Sequence, residues 1–145
     1  MAPAAQLQPA QRSLHYDNIR SALAEEGVLR LVLLEPDLFP QTQGLTGGEF
    51  SAPLLGKVFD LLKDRYDQGR SVQLAGLAGE LTAEEMSHLA RITDRPEDLS
   101  QGAKTMADYV SVIRMERLKT QGDADEALLR RAQEKYRETK AYGGS

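Results

Sequence analysis

The sequence predicts an all-α protein, a helical bundle subdomain followed by a C-terminal antiparallel helical hairpin. Three observations favour this fold class. Leu is the most frequent residue, and Ala, Glu, Arg, Gln and Lys, all good helix formers, are also frequent. Apolar residues recur at steps of three and four along most of the chain. Residues 71–75 are the one short stretch that alternates as a strand does, and they are too few to build a sheet.

The first predicted helix spans about residues 21–34, or begins earlier, near Asp17. Ser21 has the residue type of an N-cap, and Glu25 and Glu26 suit the positive end of the helix dipole. Its apolar residues are distributed almost all round the helix, which predicts a central position in the bundle. Pro36 ends it, because the residue before a proline avoids the α conformation.

A second long helix is predicted after a short turn and a loop. Residues 36–39 fit a single helical turn, and residues 41–49 contain three glycines and form the loop. Ser51 is the expected N-cap of the helix, with Pro53 in its first turn. Gly69 is the expected stop, because glycine adopts the left-handed conformation that commonly ends helices.

Two further helices complete the predicted bundle. Residues 73–79 form a short one. Thr82 and Glu85 then have the spacing of a capping box, so a helix begins there and ends near Pro96.

The last third of the sequence predicts a hairpin of two helices, at about residues 100–119 and 123–140. The four residues between them favour an antiparallel arrangement. Residues 1–102 carry 9 Lys and Arg against 15 Asp and Glu, whereas residues 103–145 carry 9 against 7. An acidic body therefore precedes a slightly basic hairpin. The predicted organisation is a lead-in (1–16), the bundle (17–100), a hairpin for partner docking (101–141) and a tail (142–145).

The residue inventory favours no catalytic, cofactor or metal site in these 145 residues. There is no cysteine, which excludes a thiol nucleophile and Cys-ligated metals. His15 and His88 are far apart in sequence, and neither has a carboxylate at metal-site spacing, so His88 is expected to be a boundary histidine. The net charge of −4 argues against a generally basic nucleic-acid binder. No apolar run is long enough for a membrane span.

The hairpin is the candidate binding surface. It has few large apolar residues, so its helices must pack on the bundle or on another protein. Leu128, Ala132 and Tyr136 follow one another at four-residue steps and share a helix face. The predicted apolar anchors are Ile113, Leu128, Leu129, Ala132 and Tyr136, and the predicted basic rim is Arg114, Arg117, Arg130 and Arg131. The alternative is that all these apolar residues are used within the hairpin and against the body.

One stretch of sequence resembles a known family. The run Leu33-Leu34-Glu35-Pro36-Asp37-Leu38-Phe39, followed by Phe50-Ser51 and by a long helix ending Asp67-Gln68-Gly69, is similar to the C-terminal helicase-binding domain of bacterial DnaG-type primases. The similarity covers about residues 20–140.

The resemblance implies a bundle that modulates a hexameric replicative helicase and a hairpin that docks on the helicase's N-terminal collar. It also implies that this fragment is not itself an enzyme. Primer synthesis, a DNA-directed RNA polymerase activity, would belong to upstream domains. The expected protein is cytoplasmic and monomeric alone, and couples priming to unwinding.

Two other interpretations remain open from the sequence. The N-terminal oligomerisation domain of a DnaB-type replicative helicase has a similar opening, and it would self-associate. A helical nucleic-acid-binding domain is the third possibility, and only the slightly basic hairpin favours it.

Overall fold

The computed structural model describes residues 16–121, and this part of the chain is all helical. The α-helices are α1 (Ile19–Leu34), α2 (Pro53–Asp67), α3 (Ala83–Thr93) and α4 (102–121). Short 3-10 helices lie at Pro36–Thr42, Gly47–Glu49 and Leu74–Leu77. The predicted all-α class is confirmed, with no strand among the described residues. The lead-in and the second predicted hairpin helix lie outside them.

No helix within residues 16–121 combines the length and the apolar character that crossing a bilayer requires.

Helix α1 is the centre of the bundle, as its apolar pattern predicts. Every residue from 24 to 32 is buried, because α2, α3 and the Pro36–Thr42 turn all pack around it. Its N-cap is Asn18, whose side-chain oxygen accepts a hydrogen bond from the Ser21 backbone N–H at 3.0 Å. The prediction that Ser21 is the cap was therefore wrong, and Ser21 lies inside the first turn.

Helix α2 begins at Pro53, and its cap differs from the prediction. Ala52 occupies the cap position and makes no side-chain capping bond, while Ser51 lies one residue earlier. The other end agrees with the sequence: the helix ends at Asp67, and Gly69 has a φ of 70°. That left-handed conformation is the reason glycine is favoured there.

Helix α3 begins with the capping box that its sequence predicts. The Glu85 backbone N–H donates to the Thr82 hydroxyl at 3.1 Å, and the Thr82 N–H donates to the Glu85 carboxylate at 2.8 Å. Leu89 and Ile92 face the core. A second capping box, of Thr46 with Glu49, gives the loop at 41–49 a 3-10 turn that the glycines did not predict.

Helix α4 packs into the bundle. Met106, Val110 and Ile113 are almost completely buried, and they join one continuous core with residues of α1, α2 and α3. The predicted boundary at residues 100–101 therefore does not coincide with the edge of the core. The helix also continues through Thr120 and Gln121, where the sequence predicted a break. The spacing of the apolar residues in α4 predicts a helix with one apolar face. The spacing alone does not show whether that face contacts the bundle or a partner.

Gly27 marks the closest approach of α1 to α4. A Cβ atom at this position would clash with the ring of Tyr109, far inside van der Waals contact. We expect Gly27→Ala to destabilise the fold by about 1–3 kcal/mol through overpacking, although alanine is the better helix former. Urea unfolding measures this. Gly79→Ala is the control, since nothing lies within 4 Å of its Cβ position. Equal effects of the two substitutions would contradict the close packing.

Candidate functional site

The structure places three of the predicted docking residues, and it removes one of them from the surface. Ile113 is fully buried in the core, so it has no free surface for a partner. Its assignment as a docking anchor was wrong for this reason. The other anchors, Leu128, Leu129, Ala132 and Tyr136, and the arginines 130 and 131, lie outside the described residues and stay predictions.

Arg114 and Arg117 connect α4 to the 43–49 loop. Arg114 donates to the Glu49 carboxylate at 3.1 Å and to the Gln43 carbonyl at 2.8 Å. Arg117 donates to the Gly48 carbonyl at 2.8 Å. These bonds show an intramolecular role for both guanidinium groups, in addition to the steering role that the sequence predicted. Sequence spacing could not indicate it, because the partners are about seventy residues away.

The Arg114–Glu49 pair predicts a pH-dependent contribution to stability. Partial burial opposes ionisation of Glu49, but the Thr46 N–H and Arg114 prevail and lower its pKa. A depressed carboxyl pKa gives stability that is present above the unfolded pKa and lost as the pH falls through the folded pKa. We expect Arg114→Ala to cost about 1 kcal/mol at neutral pH and less near about pH 3. Urea melts at the two pH values measure the difference, and a cost independent of pH would contradict it.

The outer face of α4 carries exposed apolar residues. Met115 is 57% exposed and Leu118 is 66% exposed, and both lie on the side of the helix away from the core residue Ile113. Large apolar side chains with this exposure, one turn apart, are typical of an interaction surface when they lie next to each other. We call Met115 and Leu118 the α4 outer pair.

A groove lies beside the end of α4 where the outer pair is found. It has a volume of about 600 Å³ and is bounded by the start of α1, the 49–51 segment and the end of α4. Phe50 and Ile19 supply apolar surface, and Arg117 supplies charge. Asn18 donates to Glu116 at 3.4 Å, which holds the start of α1 against α4. This end of the bundle therefore offers a concave surface with both apolar and polar groups.

Glu25 is a fully buried carboxylate whose partners all come from this chain. The Ser21 and Ser51 hydroxyls each donate to it at 2.6 Å, and the backbone N–H groups of Ser51 and Ala52 donate at 2.8 and 3.0 Å. The two backbone donors belong to the two residues that precede α2, so a carboxylate on α1 fixes the segment that leads into this helix. Because four donors saturate it and it has no exposed surface, Glu25 is a structural residue.

A second buried polar cluster joins α1 to α3 and to the segment after α3. Arg30 pairs with Glu97 at 3.0 Å and with Glu26 at 3.8 Å. Tyr109 donates to Glu97 at 2.8 Å. Burial and the Glu97 carboxylate raise the pKa of Tyr109, so its phenol remains protonated and donates. Such a network fixes the positions of its helices, because each charge would be costly to bury without its partners.

Tyr16 and His88 extend this cluster to the surface. The Tyr16 hydroxyl lies 2.7 Å from His88 Nε2, and the rings pack edge to face. Burial and the neighbouring Glu26 raise the pKa of Tyr16, whereas burial and Arg91 lower the pKa of His88. Both shifts favour the neutral forms, so a neutral phenol and a neutral imidazole share this hydrogen bond. His88 is half buried with a hydrogen-bond partner, as a boundary histidine should be.

Among residues 16–121, no three His, Asp or Glu side chains are grouped in a way that could hold a metal ion.

Comparisons of the chain with protein-family models, with curated proteins and with solved structures gave no match.

Proposed function

We propose that this chain is a protein–protein docking module of a bacterial DnaG-type primase, and that its partner is the N-terminal collar of a hexameric replicative helicase. The α4 outer pair is the observation that supports this proposal best. The proposal also places the protein in the cytoplasm, where priming and unwinding are coupled.

The chemistry of the described residues favours a binding role over catalysis. The two buried acidic clusters, around Glu25 and around Arg30, are satisfied by partners within the chain. Catalytic acids and bases must reach a substrate, and Glu25 has no exposed surface. The exposed apolar residues of the described chain include the α4 outer pair, and the groove lies at the same end of this helix. Both suit a partner protein.

The predicted hairpin would extend this apolar surface. Helix α4 leads directly into residues 122–145, which contain Leu128, Leu129, Ala132 and Tyr136. The outer pair and these residues would then form one apolar surface at the same end of the molecule. Arg130 and Arg131 would add positive charge, which suits an acidic collar.

Leu118→Glu tests the proposal. We expect the substitution to weaken binding to a hexameric replicative helicase by about tenfold or more, because it places a charge in an apolar contact. Thermal unfolding should barely change, since Leu118 is 66% exposed. Binding is measured by surface plasmon resonance and stability by circular dichroism. Leu34→Glu is the matched control, because Leu34 is 50% exposed at the opposite end of α1.

The outcomes distinguish the alternatives. Equal binding by the Leu118 and Leu34 variants, or no binding by the unmodified chain, would contradict the proposal. The competing function, the oligomerisation domain of the helicase itself, predicts self-association that Leu118→Glu abolishes. Sedimentation equilibrium of the chain alone tests this, since the docking module should be a monomer.

The residues outside the described range supply a further test. Tyr136→Ala should weaken helicase binding by about 2 kcal/mol, roughly thirtyfold, because aromatic side chains are frequent binding hot spots. Helicity should remain unchanged. If Tyr136 instead closes the hairpin, helicity and affinity will fall together.

A further inference from the structure

A small cleft between α1 and α3 has the residues of an anion site. Its volume is about 220 Å³, and it is lined by Glu26, His88, Arg91, Ile92 and Arg95. The three basic residues follow one another at steps of three and four, so α3 and the residues just after it present them on one side. The cleft is separate from the α4 outer pair and from the groove near α4, because it shares no lining residue with that groove.

Arg91 and Arg95 are distinguished from the other arginines by having no partner. Every other arginine in residues 16–121 donates to, or pairs with, an oxygen of the chain: Arg20, Arg30, Arg65, Arg70, Arg114 and Arg117. Within the same range, Arg91 and Arg95 make no hydrogen bond or ion pair. Two unpaired guanidinium groups thus line the same cleft, and each has a fork of donors that fits phosphate oxygens.

The positive field of these arginines reaches the floor of the cleft. Besides burial, Arg91 lowers the pKa of His88. Arg95 acts to lower the pKa of Tyr16, against the larger effects of burial, Glu26 and Glu25, which raise it. The opposing charge is Glu26, which is only 6% exposed and lies 3.8 Å from Arg30. Arg30 is shared between Glu26 and Glu97 and so offsets part of the negative charge at the floor, while Arg91 and Arg95 supply positive charge to the cleft.

We propose that this cleft binds a phosphate group, either inorganic phosphate or the terminal phosphate of a nucleotide. Arg91 and Arg95 donate to the phosphate oxygens. His88 lies at the floor of the cleft, where its imidazole responds to the charge of the bound phosphate. The cleft has room for one such group with its first attached atoms. A nucleic-acid strand is less suitable, because the chain has a net charge of −4 and the cleft is short.

His88 provides the measurement. The chain has only two histidines, so NMR of the imidazole carbons resolves His88 from His15. We expect inorganic phosphate, added at constant ionic strength, to shift the His88 signals saturably with a Kd on the order of 1 mM. The pKa of His88 should also rise, because a nearby anion favours the protonated imidazole. Adenosine monophosphate and acetate, titrated alike, distinguish a nucleotide phosphate from a free one and a phosphate from any small anion.

Variants that remove positive or negative charge should change the Kd for phosphate in opposite directions. Arg91→Ala and Arg95→Ala should each raise the Kd about tenfold, whereas Glu26→Gln should lower it severalfold. Arg70→Ala is the control, because Arg70 is exposed and does not line the cleft. Melting curves verify folding of each variant, and the arginine variants alone decide the outcome if Glu26→Gln unfolds.

Several results would overturn the proposal. One is an equal response to phosphate and to acetate, which would indicate screening alone. Another is an unchanged Kd in both arginine variants. Tight binding of a single-stranded oligonucleotide that displaces phosphate would replace the small-ligand site by a nucleic-acid surface. The test is independent of helicase binding, so failure of either proposal leaves the other intact.

Discussion

A chain that ends at Gln101 is expected to lose cooperative unfolding and most of its native helicity. Truncation there removes Met106, Val110 and Ile113, which are almost completely buried in the common core. Burying side chains of this size contributes about 1.5–3 kcal/mol each, and the total is comparable to the stability of a whole domain. The truncation also exposes the apolar surface of α1 that these side chains cover.

A chain that ends at Gln121 is the matched control. It keeps all of α4, and we expect it to unfold cooperatively. Circular dichroism during thermal unfolding compares the two chains directly. A cooperative transition with native helicity in the shorter chain would mean that the bundle closes without α4, and would restore the domain boundary that the sequence predicted at residues 100–101.

Glu25→Ala is expected to be the most destabilising single substitution on α1, at about 3–5 kcal/mol. It leaves the N–H groups of Ser51 and Ala52 buried or partly buried without their acceptor, together with two hydroxyls. Each unsatisfied buried donor costs about 1–3 kcal/mol. The segment that leads into α2 also loses its attachment to α1.

Two further variants separate the contributions at this position. Ser21→Ala removes one donor and leaves the carboxylate with three, so it should cost only about 1 kcal/mol. Glu25→Gln keeps the shape but turns an amide N–H₂ towards groups that are themselves donors, so it should fall between the two. Urea unfolding gives the three free energies. Equal losses of unfolding free energy for Ser21→Ala and Glu25→Ala would show that the hydrogen bonds from Ser51 and Ala52 to Glu25 contribute nothing.

The exposed position of Arg91 and Arg95, by contrast, means that their substitution should leave stability almost unchanged. A site made of unpaired surface charges contributes little to folding. The variants that test phosphate binding should therefore remain folded, whereas the Glu25 variants lose their hydrogen bonds and their stability together.

The sequence by itself determined the local structure well. The capping box of Thr82 with Glu85, the stop at Gly69 and the central position of α1 depend on short-range hydrogen bonds, backbone conformation and helix periodicity. These features need only neighbouring residues, so they can be predicted from the order of residue types.

Only the tertiary structure decided which surface each helix face contacts. Periodicity marks the apolar face of α4, but whether Ile113 meets a partner or the core depends on α1 and α2, which are distant in sequence. In the same way, Ser51 was predicted to cap α2, whereas its backbone N–H and its hydroxyl donate to Glu25, 26 residues away. Long-range pairing of this kind is set by packing geometry, because a side chain satisfies whichever donors the fold brings within reach.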